Sequence, residues 1–375
     1  MLKIFVTGDN HIGLKYARHE KADVIINARK SAFKAMVEKA DAEECGLFVI
    51  TGDLFENNSS ISKGDITYIT SVLSEFKGTV AILPGNHDYY DNNAKLWRSL
   101  EEAVKKMDNI VILSEYRPYI LNINGERTVI YPAACKSLHS AKGENCLGWI
   151  KEEKIADDGY NLGVAHGAVE GETIDSEGEY FPMTRKELEG IPVDLWLLGH
   201  THVPFPRNLS ETAYSEGERI FNAGTHVQTD VACNTEGECF IIEIDENKKV
   251  RAKKYVSGNL RFFRKNLTLS SGNMERELSA ELGQLPKNSI VDIILSGAVS
   301  CEEYENREKV ITDALSGFVE GTYSDYAMSK LISKELIDAE FPETSFSAGL
   351  LKALLKEPKE AQLTYELLKT LKEEK

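Results

Sequence analysis

Five short motifs rich in histidine and carboxylate, each placed directly after an apolar run, constrain this chain more than any other feature. They are Asp9-Asn10-His11, Gly52-Asp53, Gly85-Asn86-His87-Asp88, His166-Gly167 and Gly199-His200-Thr201-His202. The runs before them, KIFVTG, GLFVITG, TVAILPG, NLGVAHG and LWLLG, have the length and β-rich composition of buried parallel strands. In open α/β sheets, ligands sit beyond the carboxyl ends of such strands. A fold that makes strands of all five runs brings five polar loops to one crevice. Five of the eight histidines lie in these motifs, a distribution that histidines scattered through a core would not produce.

The same alternation sets the fold class. Strand-like runs near KIFVTG, LFVITG and VAILPG are followed by helical segments near Ala22 to Glu43, Asp65 to Glu75 and Ala94 to Lys106, which predicts an α/β domain with a mostly parallel sheet. Beyond residue 109 the runs NIVILS, YILNIN, RTVIYPA, RIFNAG, ECFIIEID and VRAKKYVS predict a second strand-rich layer, with Asn124-Gly125 as hairpin chemistry. The expected architecture is a two-sheet β-sandwich flanked by helices over residues 1–257. Loop-forming clusters SGNL, SSGN and LPKNS across 257–290 mark a boundary, after which SIVDIILSG, ENREKVITDALSGF and a short element near Tyr323 to Ile332 predict a small α/β cap-like domain over 258–337. A C-terminal helical segment, 338–375, carries one apolar pattern through Phe346, Leu350, Leu351, Leu354 and Leu355, and another through Leu363, Leu367, Leu368 and Leu371, with Pro358 at a helix start. Packing against the chain's own domain is the default for these stripes, with partner docking as the alternative.

Charge and cysteine usage bound the function. The 375 residues hold 44 Lys and Arg against 60 Asp and Glu, a net charge of -16, so the chain does not coat nucleic acid by bulk charge. Any hold on DNA must come from metal ions, a few placed cations or a partner. Six cysteines without a C-x-x-C pair read as reduced thiols. The first strand begins almost at the initiator, and no apolar stretch reaches the roughly 18 residues that span a bilayer. A cytoplasmic protein with no membrane partner is expected.

The motif residues suit phosphoester chemistry. A phosphodiester repels nucleophiles and has a poor leaving group. Two divalent ions about 3.5–4 Å apart neutralise the phosphate and lower the pKa of a bound water toward about 7. Asp53, alone at a strand end after a glycine, is the natural bridging carboxylate. Asp9 and His11, two residues apart on an extended backbone, would point to the same side, as would His200 and His202. Asn86 offers an amide oxygen, and its neighbour His87 should point elsewhere, which suits an acid better than a ligand. A His, Asp and Asn set without thiolate favours Mn²⁺ first, with Fe²⁺ or Zn²⁺ as alternatives, over Ca²⁺.

In this order, D-x-H, G-D, G-N-H-D, H-G and G-H-x-H resemble the calcineurin-like metallophosphoesterases, over about residues 1 to 245. The resemblance implies one ion held by Asp9, His11, Asp53 and His202 and a second held by Asp53, Asn86, His166 and His200. It implies that His87 protonates the leaving oxygen or stabilises the transition state, and that carboxylates such as Asp88 orient the histidines. Protein phosphatases of this fold carry Arg shortly after Gly-Asp and end the third motif in Glu, whereas this chain reads GDLFENN and GNHD. GDLF, the spacing to GHTH and the stretch IFNAGTHVQTDVACNTEGECFIIEID are similar to DNA repair exonucleases of the SbcD and YhaO type. That branch implies DNA as substrate and an SbcC-like ATPase meeting the C-terminal segment. A homodimer is a further expected assembly.

One departure stands out. Some nucleases of this group carry His directly after GDLF, where this chain has Glu56, a carboxylate expected either to support the ligands from outside or to repel a second phosphate. Lys15 and Arg18, just past the first motif, are candidate DNA-backbone contacts, and Arg29 reads as a solvated helix position. His226, in NAGTH, is a candidate on the substrate side or a structural histidine. Lys136, Arg185 and Arg207 are further cations to which the motifs assign no role. The expected activity is a two-metal DNA phosphodiesterase, with a metal-bridging hydroxide attacking phosphorus and His87 as acid. The alternatives are a phosphodiesterase for a small nucleotide or cyclic phosphodiester, and a scaffold subunit for an ATPase.

Overall fold

The structure, a computed structural model, describes residues 1–141, 143–171 and 180–373. The first compact unit is Met1–Arg261 and the second Phe262–Lys375. The first opens with β1 (Leu2–Thr7), α1 (Ala22–Ala42), β2 (Leu47–Ile50), α2 (Lys63–Ser74), β3 (Thr79–Ile82), α3 (Lys95–Val104) and β4 (Ile110–Ile112). It continues with β5 (Tyr119–Ile123), β6 (Glu126–Ala133), α4 (Gly148–Glu152), β7 (Tyr160–His166), α5 (Arg185–Glu189) and β8 (Leu195–Gly199). The closing strands are β9 (Ser215–Glu216), β10 (Ile220–Asn222), β11 (Glu238–Ile244) and β12 (Val250–Val256).

Among the described residues these strands form a seven-stranded sheet, β4-β3-β2-β1-β11-β12-β9, and a five-stranded sheet, β10-β8-β7-β6-β5. Side-chain alternation along β1 decides how they stack. Leu2, Ile4 and Val6 enter a core shared with Leu162 and Val164 of β7 and Leu195 and Leu197 of β8, so the two sheets pack face to face. Phe5 points the other way, into a core with Phe33 and Met36 of α1 and Trp97 and Leu100 of α3. Tyr131, Ile150, Leu188 and Trp196 cover the outer face of the second sheet. Strands buried on both faces need the continuous apolar runs that the sequence carries.

All five motif-bearing runs form strands: β1, β2 and β3 are parallel neighbours in one sheet, and β7 and β8 are parallel neighbours in the other. Their carboxyl ends carry the motifs. Helix α1 docks through a stripe at Ile25, Arg29, Phe33, Met36, Val37 and Ala40, all buried.

The second unit holds β13 (Arg261–Thr268), α6 (Met274–Leu282), β14 (Ser289–Val299), α7 (Cys301–Leu315), β15 (Glu320–Lys330), α8 (Lys334–Glu340), α9 (Phe346–Leu354) and α10 (Pro358–Glu373). Its three-stranded sheet, β13-β14-β15, packs Val291, Ile293 and Leu295 against Leu278 of α6 and Ile311 of α7. Three expectations change here. The expected loop region across 257–290 contains β13 and α6, of which α6 carries the clear signal, the helical spacing of Met274, Leu278 and Leu282. The division falls at Arg261, not at residue 257, and the terminal helices share a unit with the small sheet; residues 374 and 375 of the expected terminal segment lie outside the described residues. The leucine stripe of α10 packs inward only at Leu368, beside buried Ala361 and Tyr365; Leu363, Leu367 and Leu371 are exposed.

Candidate metal centre

The motif side chains converge in groups whose ligand atoms lie within 4.8 Å of one another: Asp9 with His11 and His202, Asp53 with His166 and His200, and His11 with Asp53 and His87. The backbone that delivers them is turned, not extended. Asp9, His11, Asp53, His200 and His202 have φ of 49°, 46°, 50°, 116° and 55°. Non-glycine residues in this region cost on the order of 1–3 kcal/mol each and persist only where surrounding bonds over-determine them. The expected extended placement of Asp9 and His11 is therefore corrected: Asp9 N–H donates to Gly52 O at 3.0 Å and His11 N–H to Asp53 O at 2.9 Å, which bends the first loop along the second.

Tautomers follow from the partners on the far side of each ring. His166 Nδ1 lies 2.8 Å from the Thr51 carbonyl, so that nitrogen donates and Nε2 is left to face the site. Nε2 lies 2.9 Å from Asn86 Oδ1 and 3.2 Å from Asp53 Oδ2. His200 Nδ1 reaches the same Asn86 oxygen at 3.0 Å. His11 Nδ1 lies 2.9 Å from Glu56 Oε2, which turns its Nε2 toward His202 Nε2 at 2.9 Å and Asp53 Oδ2 at 3.8 Å. Lone pairs and carboxylate oxygens that point at one another are what a cation satisfies. Asp53 Oδ2 is buried, faces His166 Nε2 at 3.2 Å and His11 Nε2 at 3.8 Å, and stands between both groups. The donor set fits two divalent ions.

Electrostatics agree. Burial pushes Asp9 up. Burial also opposes ionisation of Asp53, but the charge and hydrogen bond of His166, with His11 and His87, hold its carboxyl well below the usual range. His166 is pushed up to about 9: burial works against the proton, and Asp53 and Asp9 outweigh it. The anionic pocket draws positive charge to this point. His202, where burial dominates, is lowered to about 4 and stays neutral.

Several supporting residues differ from expectation. Asp88 braces backbone where a histidine ring was the expected partner; its carboxylate accepts from Gly85 N–H at 2.7 Å and Phe55 N–H at 3.0 Å, clamping two motif loops, and burial followed by Asp53's charge raises it to about 7. Arg29 is not solvated. It is buried and donates to Asn10 O at 2.6 Å and Val227 O at 2.8 Å, tying the first motif to the NAGTH segment. Its place at i+4 from Ile25 and i−4 from Phe33 was the available signal. His226 is fully buried, with Nε2 3.1 Å from Arg29 O, which places it against this strut. Thr225 Oγ1, which the motifs did not single out, donates to Asp9 O at 2.9 Å.

Lys15 and Arg18 are exposed on the loop after His11. Beside His200 and His202 lies a cleft of about 870 Å³ whose lining includes Arg207, Tyr180, Asp230, Glu236 and Glu238. Arg185, by contrast, pairs with Glu218 at 2.8 Å and Glu189 at 3.0 Å, and Lys136 lies over the Tyr90 ring at 4.4 Å.

Among solved structures, the chain is similar to a protein of Thermus thermophilus, at 11% identity, covering 67% of this chain and 97% of that one with a TM-score of 0.40. A dimetal phosphatase from Danio rerio is 11% identical, with 68% and 98% covered and a TM-score of 0.37. A purple acid phosphatase from yellow lupin seeds is 17% identical, with 56% and 40% covered and a TM-score of 0.30. No helix among the described residues is long and apolar enough to cross a membrane. The family model for calcineurin-like phosphoesterases matches residues 2–204, more than half of the chain and the span that carries all five motifs. The chain belongs to the calcineurin-like phosphoesterase family, which makes it a metal-dependent phosphoester hydrolase.

Proposed function

We propose that this protein is a two-metal phosphodiesterase that cleaves DNA, with the first ion held by Asp9, His11, Asp53 and His202 and the second by Asp53, Asn86, His166 and His200. The observation that carries the reading is the position of Asp53 Oδ2, 3.2 Å from His166 Nε2 and 3.8 Å from His11 Nε2. When bound, Mn²⁺ or a similar pair of ions supplies charge neutralisation for the phosphate and acidifies water. Thr51 and Glu56 hold the ligand rings, Asp88 holds the loops, and Asn86 turns its amide oxygen inward. His87 Nδ1 lies 3.1 Å from Glu56 O and donates its N–H there, so Nε2 is the nitrogen left to carry a proton to a departing sugar oxygen. The His87 backbone N–H donates to Asp53 Oδ1 at 2.8 Å, which ties the acid to the bridge.

DNA as substrate is supported by the resemblance of GDLF and the NAGTH region to repair exonucleases and by exposed Lys15 and Arg18 beside the first motif. The exposed face at Leu363, Leu367 and Leu371 supports an ATPase partner engaged through the C-terminal segment. A second reading, a small nucleotide or cyclic phosphodiester, is favoured by the cleft beside His200: Asp230, Glu236 and Glu238 outnumber Arg207 there and disfavour a second phosphate. A time course with Mn²⁺ on end-labelled single- and double-stranded DNA, beside an aryl phosphodiester, separates them. Degradation of DNA, abolished by Asp53→Ala, supports the nuclease reading. Hydrolysis of the aryl ester alone contradicts it and leaves the small-substrate reading.

A further inference from the structure

We infer that Glu56 is a positioning residue that sets the tautomer and orientation of His11 through its side chain and those of His87 through its backbone. The inference rests on the two-ion reading of the site. Glu56 Oε2 lies 2.9 Å from His11 Nδ1, and Glu56 O lies 3.1 Å from His87 Nδ1. Both acceptors take an N–H, and both leave the opposite ring nitrogen, Nε2, for the chemistry. The two rings meet edge to face at 90°, with centroids 4.8 Å apart, so one residue sets both members of a packed pair.

The segment carrying Glu56 is held firmly enough to act this way. Ile12 N–H donates to Leu54 O at 2.9 Å and Glu56 N–H to Ile12 O at 3.0 Å, a short parallel bridge between the first and second motif loops. Phe55 N–H is fixed by Asp88 at 3.0 Å. The side chain of His11 is 4% exposed and that of Glu56 26%, so the pair closes the rim of a buried site and is not a solvated surface pair of small effect. The geometry supports the first role expected of a carboxylate after GDLF, that of an outer support to a ligand. An oxygen bound to Nδ1 sits on the far side of the imidazole from Nε2, where it supports the ligand from outside and does not itself reach the ion.

Outer partners of this kind are worth about 10–100-fold in metal affinity. The test is calorimetric titration of the full chain with Mn²⁺, without substrate, for wild type, E56Q and E56L, with thermal unfolding in chelator as a control for folding. The expected result is two ions in wild type, loss of about 10–100-fold in affinity for one ion only in E56L, and binding within about threefold of wild type in E56Q, whose amide oxygen still accepts from Nδ1. E56L in a His11→Ala background should cause no further loss. Unchanged binding in E56L, equal weakening of both ions, or an E56Q as weak as E56L at unaltered thermal stability overturns the role of Glu56 while wild type still binds two ions. Fewer than two ions in wild type contradicts the two-ion reading itself.

Discussion

Asp53 Oδ2 lies 3.2 Å from His166 Nε2, a carboxylate oxygen and an imidazole nitrogen brought together from the ends of strands in two different sheets. The same oxygen lies 3.8 Å from His11 Nε2. Neither sheet alone contains the site; stacking the two sheets face to face assembles it, and Asp53 is where they meet.

Replacing Asp53 by Asn keeps the shape and removes the charge. Charge stabilisation of this kind is worth several kcal/mol, about 10³ in rate at 1.4 kcal/mol per tenfold. Steady-state hydrolysis of an aryl phosphodiester with saturating Mn²⁺ should fall by about that factor in D53N. A variant within about tenfold of wild type would remove Asp53 from the bridging role.

His87 should separate from the ligands. His87→Asn is expected to lose about 10²–10⁴ in single-turnover rate while binding the same number of ions as wild type. Loss of an ion together with the rate would make His87 a ligand and not the acid.

Gly85 allows the third motif to approach the second. A Cβ there would stand 2.2 Å from Asp53 Oδ1 and 2.3 Å from Asp53 N. Overpacking costs about 1–3 kcal/mol, and the neighbour displaced is Asp53, the carboxylate proposed to bridge the ions. Gly85→Ala should therefore lower both Tm and Mn²⁺ affinity, measured by thermal unfolding and calorimetry. A wild-type profile in both would show that the loops are not so tightly apposed.

Away from the site, Glu43 at the end of α1 receives Lys3 at 3.1 Å, Lys39 at 2.8 Å and Lys253 at 3.0 Å. Burial opposes its charge, but these ammonium groups prevail and hold its carboxyl down at about 2, against 4.5 ordinarily. A depressed carboxylate stabilises the fold fully above its unfolded pKa and loses that contribution as pH falls from about 4.5 through about 2. Glu43→Gln should lower stability at neutral pH and flatten this acid limb in denaturant titrations. An acid limb as steep as that of wild type would mean that other carboxylates set it.

The strands and the polar strand ends were legible because a strand buried on both faces needs an apolar run and a functional strand end interrupts it with His, Asp or Asn; the layers were less so, since NIVILS, ECFIIEID and VRAKKYVS, expected in the second layer, join the first sheet as β4, β11 and β12. What was hidden depends on tertiary placement. The left-handed turns at Asp9 and His11 follow from bonds to Gly52 and Asp53 across the sheet, which local spacing does not encode. Arg29 reads as a surface cation until its acceptors, the carbonyls of Asn10 and Val227, are brought to it. His226, in NAGTH, reads as a substrate-side or a structural histidine until its burial and the Arg29 carbonyl are brought to it. In the second unit, β13 and α6 were obscured by the flanking Gly, Ser and Asn clusters, whose turn chemistry is strong while the elements between are short.

The most direct test of the shared two-ion site is the number of divalent ions bound per chain, read by native mass spectrometry or calorimetry with Mn²⁺ on wild type and D53N. The account predicts two ions in wild type and weakened binding of both in D53N, because one carboxylate serves both groups. A single ion in wild type, or a D53N variant that binds two ions as tightly as wild type, would contradict it.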